Sequence, residues 1–266
     1  MPLAPAEDTD IYYEVHGSGP PVVFAHGSGG NHLSWWQQIP FFSKHYTCIT
    51  FDHRTFGQTR DGAKPKGRTA FADDLKALLD HLEMEQVAIV AHSMGGRTGV
   101  GFTLRNPGRV WGLVLSGSNG GSVNDESRQL RIEQLERNRA LPAGTIKGLS
   151  SSFADKNPES LFLYRQIMRL NPRHAADFLE VPPGFRGSTH ERLAESGVPI
   201  LYIVGEQDIM SPPATIEVAA SQIPQANLIR VPDTGHSVYY ERPERFNNEV
   251  LGFLNEIMPS ARLTDA

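Results

Sequence analysis

Short runs of apolar and β-branched residues alternate along this chain with longer stretches of helical period. That alternation is the pattern of a parallel sheet whose strands are joined by crossover helices. The expected strands are residues 21–25, 47–52, 87–92, 110–116, 199–204 and 227–231, with 11–15 as an antiparallel edge. Between them, Phe71, Leu75, Leu78, Leu79 and Leu82 fall at helical spacing, with Thr69 as the expected N-cap and Asp73 and Asp74 near the positive end of the dipole. Residues 212–223 and 241–258 read as further helices, the second with Phe246, Val250, Phe253, Leu254 and Ile257 on one face.

From about 119 to 196 the alternation stops. Residues 125–140 and 158–170 look like charged amphipathic helices joined by loops containing Pro and Gly. The expected organisation is one α/β core, 1–118 and 197–266, with a helical cap, 119–196, inserted after a strand. Segments 148–152 and 181–187 are the candidates for mobility. A length of 266 residues suits one domain with an insertion better than two domains.

Composition narrows the function classes. A net charge of -5 leaves no basic excess to hold phosphate backbones, so nucleic acid is not an expected partner. Residues 1–10 carry acids and prolines, and no later segment approaches the roughly 18 apolar residues of a membrane span, so a cytoplasmic protein is expected. Cys48 is the single cysteine, which rules out an internal disulfide or a thiolate cluster; its strand setting reads as core packing. No metal or cofactor is expected.

The strongest local signal is Val87-Ala88-Ile89-Val90-Ala91-His92-Ser93-Met94-Gly95-Gly96, a β-rich run that ends in a serine and passes directly into glycines and a helix-compatible segment. It resembles the nucleophile elbow of the α/β-hydrolase fold, a sharp strand-to-helix turn that exposes a serine hydroxyl. Ala91 stands where the usual motif has glycine, adding one methyl group. By this resemblance Ser93 is the nucleophile. The chain has 10 histidines, and position selects His236, which follows a late strand and precedes the C-terminal helix as the catalytic histidine of that fold does. An imidazole suits the task because its pKa near about 6.5 lets it take and return the serine proton. Asp208, just after a strand, is the expected acid, and Glu206 is its nearest competitor. The order serine, aspartate, histidine is the order of this fold. His26 and His92 are expected to shape loops.

His26-Gly27-Ser28-Gly29-Gly30 resembles the family's His-Gly loop, which implies oxyanion donors at the backbone N–H groups of Ser28 and Met94, with Gly29 the alternative to Ser28. No P-loop or dinucleotide fingerprint competes for the glycines. Residues 51–59 resemble the family's Asp-x-Arg-Gly-x-Gly-x-Ser turn, with Thr55 in place of its first glycine. The resemblance, to the serine-nucleophile branch of the α/β-hydrolase superfamily, spans residues 11–258. It implies a mostly parallel sheet with helices on both faces, and a small acyl substrate. Small carboxylesterases and enol-lactonases are the leading likeness, and carbon–carbon hydrolases of the meta-cleavage type the second. A triad-retaining ligand receptor is the alternative from a different class. Arg97, four residues after Ser93, also resembles a menaquinone-pathway synthase of this fold and is a candidate contact for a substrate carboxylate; a surface or salt-bridged position is the plainer reading. Trp35, Phe162 and Phe185, with Trp36, Phe153, Tyr164 and Phe178, are candidates to line an apolar pocket. The oligomeric state is left open.

Overall fold

Successive side chains of a strand point to opposite faces, and the continuous burial of the central strands places a helical layer on each side of a single sheet. The computed structural model describes residues 2–62, 66–142, 145–173, 178, 180 and 187–258. Its strands are Leu3–Pro5 (β1), Asp10–His16 (β2), Pro21–Ala25 (β3), Thr47–Phe51 (β4), Val87–His92 (β5), Val110–Ser116 (β6), Ile200–Gly205 (β7) and Ala226–Val231 (β8). They pair in the order β1-β2-β4-β3-β5-β6-β7-β8. β1–β2 and β2–β4 are antiparallel, and every other pair is parallel.

The helices are Ile39–Phe42 (α1), Phe71–His81 (α2), Met94–Arg105 (α3), Asp125–Arg139 (α4), Ser151–Lys156 (α5), Pro158–Arg169 (α6), His190–Glu195 (α7), Pro213–Ser221 (α8), Val238–Glu241 (α9) and Pro243–Ile257 (α10). All six residues of β5 are buried, as a strand covered on both faces requires. Val87, Ile89 and Ala91 pack with Leu75 and Leu79 of α2, Phe102 of α3 and Ile216 of α8. Ala88 and Val90 point the other way, into a second core with Trp35, Phe246, Val250 and Leu254. Cys48 belongs to that second core, and burial pushes its thiol up to about 12, away from reactivity.

Several local expectations change. Residues 11–15 lie in an antiparallel strand, but the edge beyond it is β1, three residues with a terminal proline and too short to show a period. Thr69 does not cap α2: it sits in a preceding 3₁₀ turn, its hydroxyl bonded to the Lys66 carbonyl, and Ala70 occupies the N-cap position. The single helix expected over 241–258 breaks at Arg242 (φ -134°, ψ 59°), because a residue before proline is driven out of the helical region. α4 buries only Ser127, so it is polar nearly all round rather than amphipathic. Leu193 of α7 packs in the first core, so the end of the 119–196 segment is joined to the main body. Among the described residues no helix is long and apolar enough to cross a membrane.

Candidate active site

β5 runs straight into α3 through Ser93, which adopts φ 50° and ψ -113°. This region is unfavourable for a residue with a Cβ, and costs on the order of 1–3 kcal/mol unless the surroundings enforce it. They do so here. The Ser93 N–H donates to the Ser116 carbonyl (2.9 Å), and the Ser118 hydroxyl donates to the Ser93 carbonyl (2.7 Å). α3 must lie almost on β3: a Cβ at Gly95 would come 2.3 Å from the Ala25 carbonyl oxygen. Gly27 is held equally close, since a Cβ there would lie 2.7 Å from His92 Cδ2 and 3.1 Å from Ser93 Cβ. Ala91 is fully buried within the first core, so its extra methyl group is absorbed by packing.

The loops after β7 and β8 bring Asp208 and His236 together. His236 Nδ1–H donates to Asp208 Oδ2 at 2.8 Å, and both residues are buried. Asp208 Oδ1 accepts the N–H groups of Met210 and Ser211, each at 2.8 Å, so both carboxylate oxygens are held. With the proton on Nδ1, Nε2 keeps a lone pair. Among the described residues Nε2 is buried and has no hydrogen-bond partner, Ser93 included. Glu206 instead pairs with Arg230 at 3.2 Å on the surface. His92 packs against the His236 ring (centroids 4.7 Å apart) and donates Nδ1–H to the Ser116 carbonyl (3.1 Å). Burial, reinforced by His236, holds His92 well below the usual imidazole range and therefore neutral.

The glycine loop after β3 is supported by a chain of neutral imidazoles. The Thr98 hydroxyl donates to His53 Nε2 (2.8 Å), His53 Nδ1–H to His26 Nε2 (3.1 Å), and His26 Nδ1–H to the Gly27 carbonyl (2.8 Å). Each ring uses one nitrogen as donor and the other as acceptor, which fixes both tautomers. Burial lowers His26 to about 4 and His53 well below its ordinary value. Among the described residues the N–H groups of Ser28, Gly29 and Met94 make no hydrogen bond. The next family turn also survives its substitution: Thr55 takes φ 72°, the left-handed region glycine would occupy. It is anchored by the buried Arg54, which bonds both oxygens of Asp74 (2.7 and 2.6 Å).

α6 covers the site. Asn31 Nδ2 donates to the Ile167 carbonyl (2.9 Å), Asn171 Nδ2 to the Gly29 carbonyl (2.7 Å), and the Tyr240 hydroxyl to the Ser160 carbonyl (2.6 Å). Beneath it is a cavity of about 20 Å³ lined by Ser28, Gly29, His92, Tyr164, Met168 and Tyr239. Tyr164 is thus placed as expected from the sequence, whereas other aromatic candidates are not. Trp35 is wholly buried against Phe24 and Tyr239, because its 3₁₀ turn points it into the core. Phe162 is 65 % exposed on the outer face of α6, and Trp36 is also exposed. Phe178 packs on Phe56 instead. Phe185 lies outside the described residues, as do 181–184 and 186. Segment 148–152 is pinned rather than loose: Ser150 donates its N–H (3.0 Å) and hydroxyl (2.5 Å) to Glu241. Arg97 is half-buried and makes no ion pair or hydrogen bond among the described residues. Asn31, Asn171, Met168 and Glu241 carry no motif; only long-range contacts reveal them. Among the described residues no group of three His, Cys, Asp or Glu side chains is arranged to hold a metal ion.

Comparison with known proteins agrees with the fold. A family model described as the alpha/beta hydrolase fold matches residues 20–243. The chain is 29 % identical to the proposed carbamate hydrolase RutD of Azorhizobium caulinodans, over 97 % of this chain and 99 % of that one. It resembles the solved structure of a thermophilic esterase from Thermogutta terrifontis with a TM-score of 0.79 and 26 % identity, covering 97 % and 99 % of the two chains. It also resembles Est816, described as an N-acyl homoserine lactone degrading enzyme, with a TM-score of 0.77, 28 % identity and coverage of 95 % and 100 %.

Proposed function

The chain belongs to the α/β-hydrolase fold family, and we propose that it cleaves a small carboxylic ester or lactone with Ser93 as nucleophile, His236 as general base and Asp208 as the orienting acid. The observation that carries this reading is the state of His236. Its Nδ1 is committed to Asp208 and its Nε2 is buried with an unused lone pair, while Ser93 is held in a strained turn directly after His92, whose ring packs on that of His236. A buried unpaired acceptor costs about 1–3 kcal/mol, so a partner that arrives during the reaction accounts for it. Unengaged catalytic hydrogen bonds are common before substrate binds.

In this mechanism the Ser93 hydroxyl gives its proton to His236 Nε2 as its oxygen attacks the carbonyl carbon. The oxyanion that forms is met by the N–H groups of Met94 and of Ser28 or Gly29; loss of one such donor typically costs about 2.7–4 kcal/mol of transition-state stabilisation. His236 then returns the proton to the leaving alcohol oxygen, and the acyl group remains on Ser93. Water, deprotonated by His236, releases the acid. Asp208 stabilises the imidazolium at both stages. His92 stays neutral and so does not compete as a cation. The likeness to an esterase, a lactone-degrading enzyme and a carbamate hydrolase supports acyl cleavage as the shared chemistry. Segment 119–196 acts as a cap that shapes the acyl pocket through α6.

A panel of short and long acyl esters, lactones and vinylogous diketones tests the proposal. Repeated turnover of an ester or lactone, with an acyl adduct on Ser93 after acid quenching, is expected. Turnover of the diketones alone would make it a carbon–carbon hydrolase, and tight retention of a ligand without turnover would make it a receptor.

A further inference from the structure

One helical turn beyond Ser93, the half-buried Arg97 has no hydrogen-bond or ion-pair partner among the described residues. Arg68, from the loop ahead of α2, has a buried Nε that is likewise unpartnered. Both line one cavity of about 120 Å³ between α2, α3 and α7, together with Arg105, Arg192, Phe71 and Ser188. Among the described residues no Asp or Glu lines it, and Arg105 is the one arginine there paired with an acid, Asp73 at 3.0 Å. The cavity is distinct from the one beneath α6, with which it shares no lining residue.

The electrostatics point the same way. Burial first, then Arg68 and Arg131, push Arg97 down to about 10, and burial with Arg131 lowers Arg68. Desolvated cations that repel one another are costly unless an anion joins them. The glycine at 121 leaves room for the Arg97 side chain: a Cβ there would stand 2.7 Å from its Nη1. That glycine belongs to the same loop as Ser118, whose hydroxyl bonds the Ser93 carbonyl, so the cavity and the nucleophile share one support.

We infer that Arg97 and Arg68 form a binding site for a carboxylate group, which their planar forks can take in paired hydrogen bonds. The carboxylate has two possible carriers: the far end of the acyl substrate, an assignment that rests on the proposed hydrolysis at Ser93, or a separate small acid.

Isothermal titration of the full-length protein with glutarate tests the site without requiring turnover. Wild type should bind it, and Arg97→Gln and Arg68→Gln should each weaken binding at least about tenfold, with melting temperatures showing that both variants fold. No binding by wild type, or equal binding by both folded variants, overturns the inference. Hydrolysis of a glutarate monoester against a neutral ester of equal length then identifies the carrier. A preference for the monoester that Arg97→Gln abolishes assigns the carboxylate to the substrate; glutarate binding without that preference assigns it to a separate acid. If wild type hydrolyses no ester, the hydrolase reading fails while the titration still decides the site.

Discussion

The Glu241 carboxylate accepts a hydrogen bond from the N–H of Gly235 at 3.0 Å, one residue before His236. Its oxygens also accept both donors of Ser150, so one buried acid ties the histidine loop to the start of α5. Burial raises its pKa, and the bonds from Ser150 and Gly235 oppose that rise.

Replacing Glu241 with glutamine keeps the volume but turns an amide donor toward groups that are themselves donors. Stability should fall by about 1–3 kcal/mol, and, if Glu241 positions His236, kcat should fall about tenfold with KM nearly unchanged. Chemical denaturation and steady-state kinetics separate the two effects. A stability loss with unaltered kcat would leave Glu241 only a scaffold role.

The neutral histidine chain predicts acid sensitivity. His26 has a folded pKa of about 4 against an ordinary value of 6.5, so the unfolded chain binds the proton more readily. Its contribution to stability is therefore complete above pH 6.5 and is lost as pH falls toward 4, by about 2 kcal/mol at pH 5. His53 and His92 shift the same way, while His32 and Glu241, whose pKa values are raised, shift the opposite way. Melting curves from pH 7 to 4.5 should show a flatter acid limb in His26→Asn than in wild type, whatever the total slope. Parallel limbs would contradict the assignment.

Much of this architecture was legible because it follows from local rules. The β5 apolar run, the serine between strand and helix, and the acid and histidine just beyond late strands each leave a short-range mark. Long-range geometry left none. Trp35 and Phe162 have the same apolar character in the sequence, yet one is sealed in the core and the other faces solvent. Arg97 was visible by its spacing from Ser93, but Arg68, 29 positions earlier, has no periodic relation to it and is joined to it only by the fold.

Thr55 shows a substitution tolerated at a cost. A β-branched residue at φ 72° is strained, and its buried hydroxyl has no partner. Thr55→Gly should remove about 1–2 kcal/mol of left-handed strain and return about 0.5–1 kcal/mol of chain entropy to the unfolded state. A net gain of up to about 1.5 kcal/mol is expected by denaturant titration; a net loss would mean that the threonine packs more favourably than its backbone suggests.

Met168 stands where Phe162 was expected from the sequence. Its Cε would lie 3.0 Å from a Cβ at Gly29, over the proposed oxyanion loop, and it lines the small cavity. Met168→Ala should raise kcat/KM for longer acyl esters several-fold relative to acetyl esters. Phe162→Ala should leave that ratio within about twofold. The reverse pattern would place the acyl pocket on the other face of α6.

The central claim is that Ser93, activated by His236 and Asp208, is the nucleophile, and mass-spectrometric mapping of a fluorophosphonate adduct tests it most directly. The account predicts a single adduct on Ser93, absent from Ser93→Ala and formed slower by on the order of 10⁴ in Asp208→Asn, where the imidazole is held in the wrong tautomer. Labelling of Ser93→Ala to the wild-type extent, or an adduct on any other residue, would contradict it.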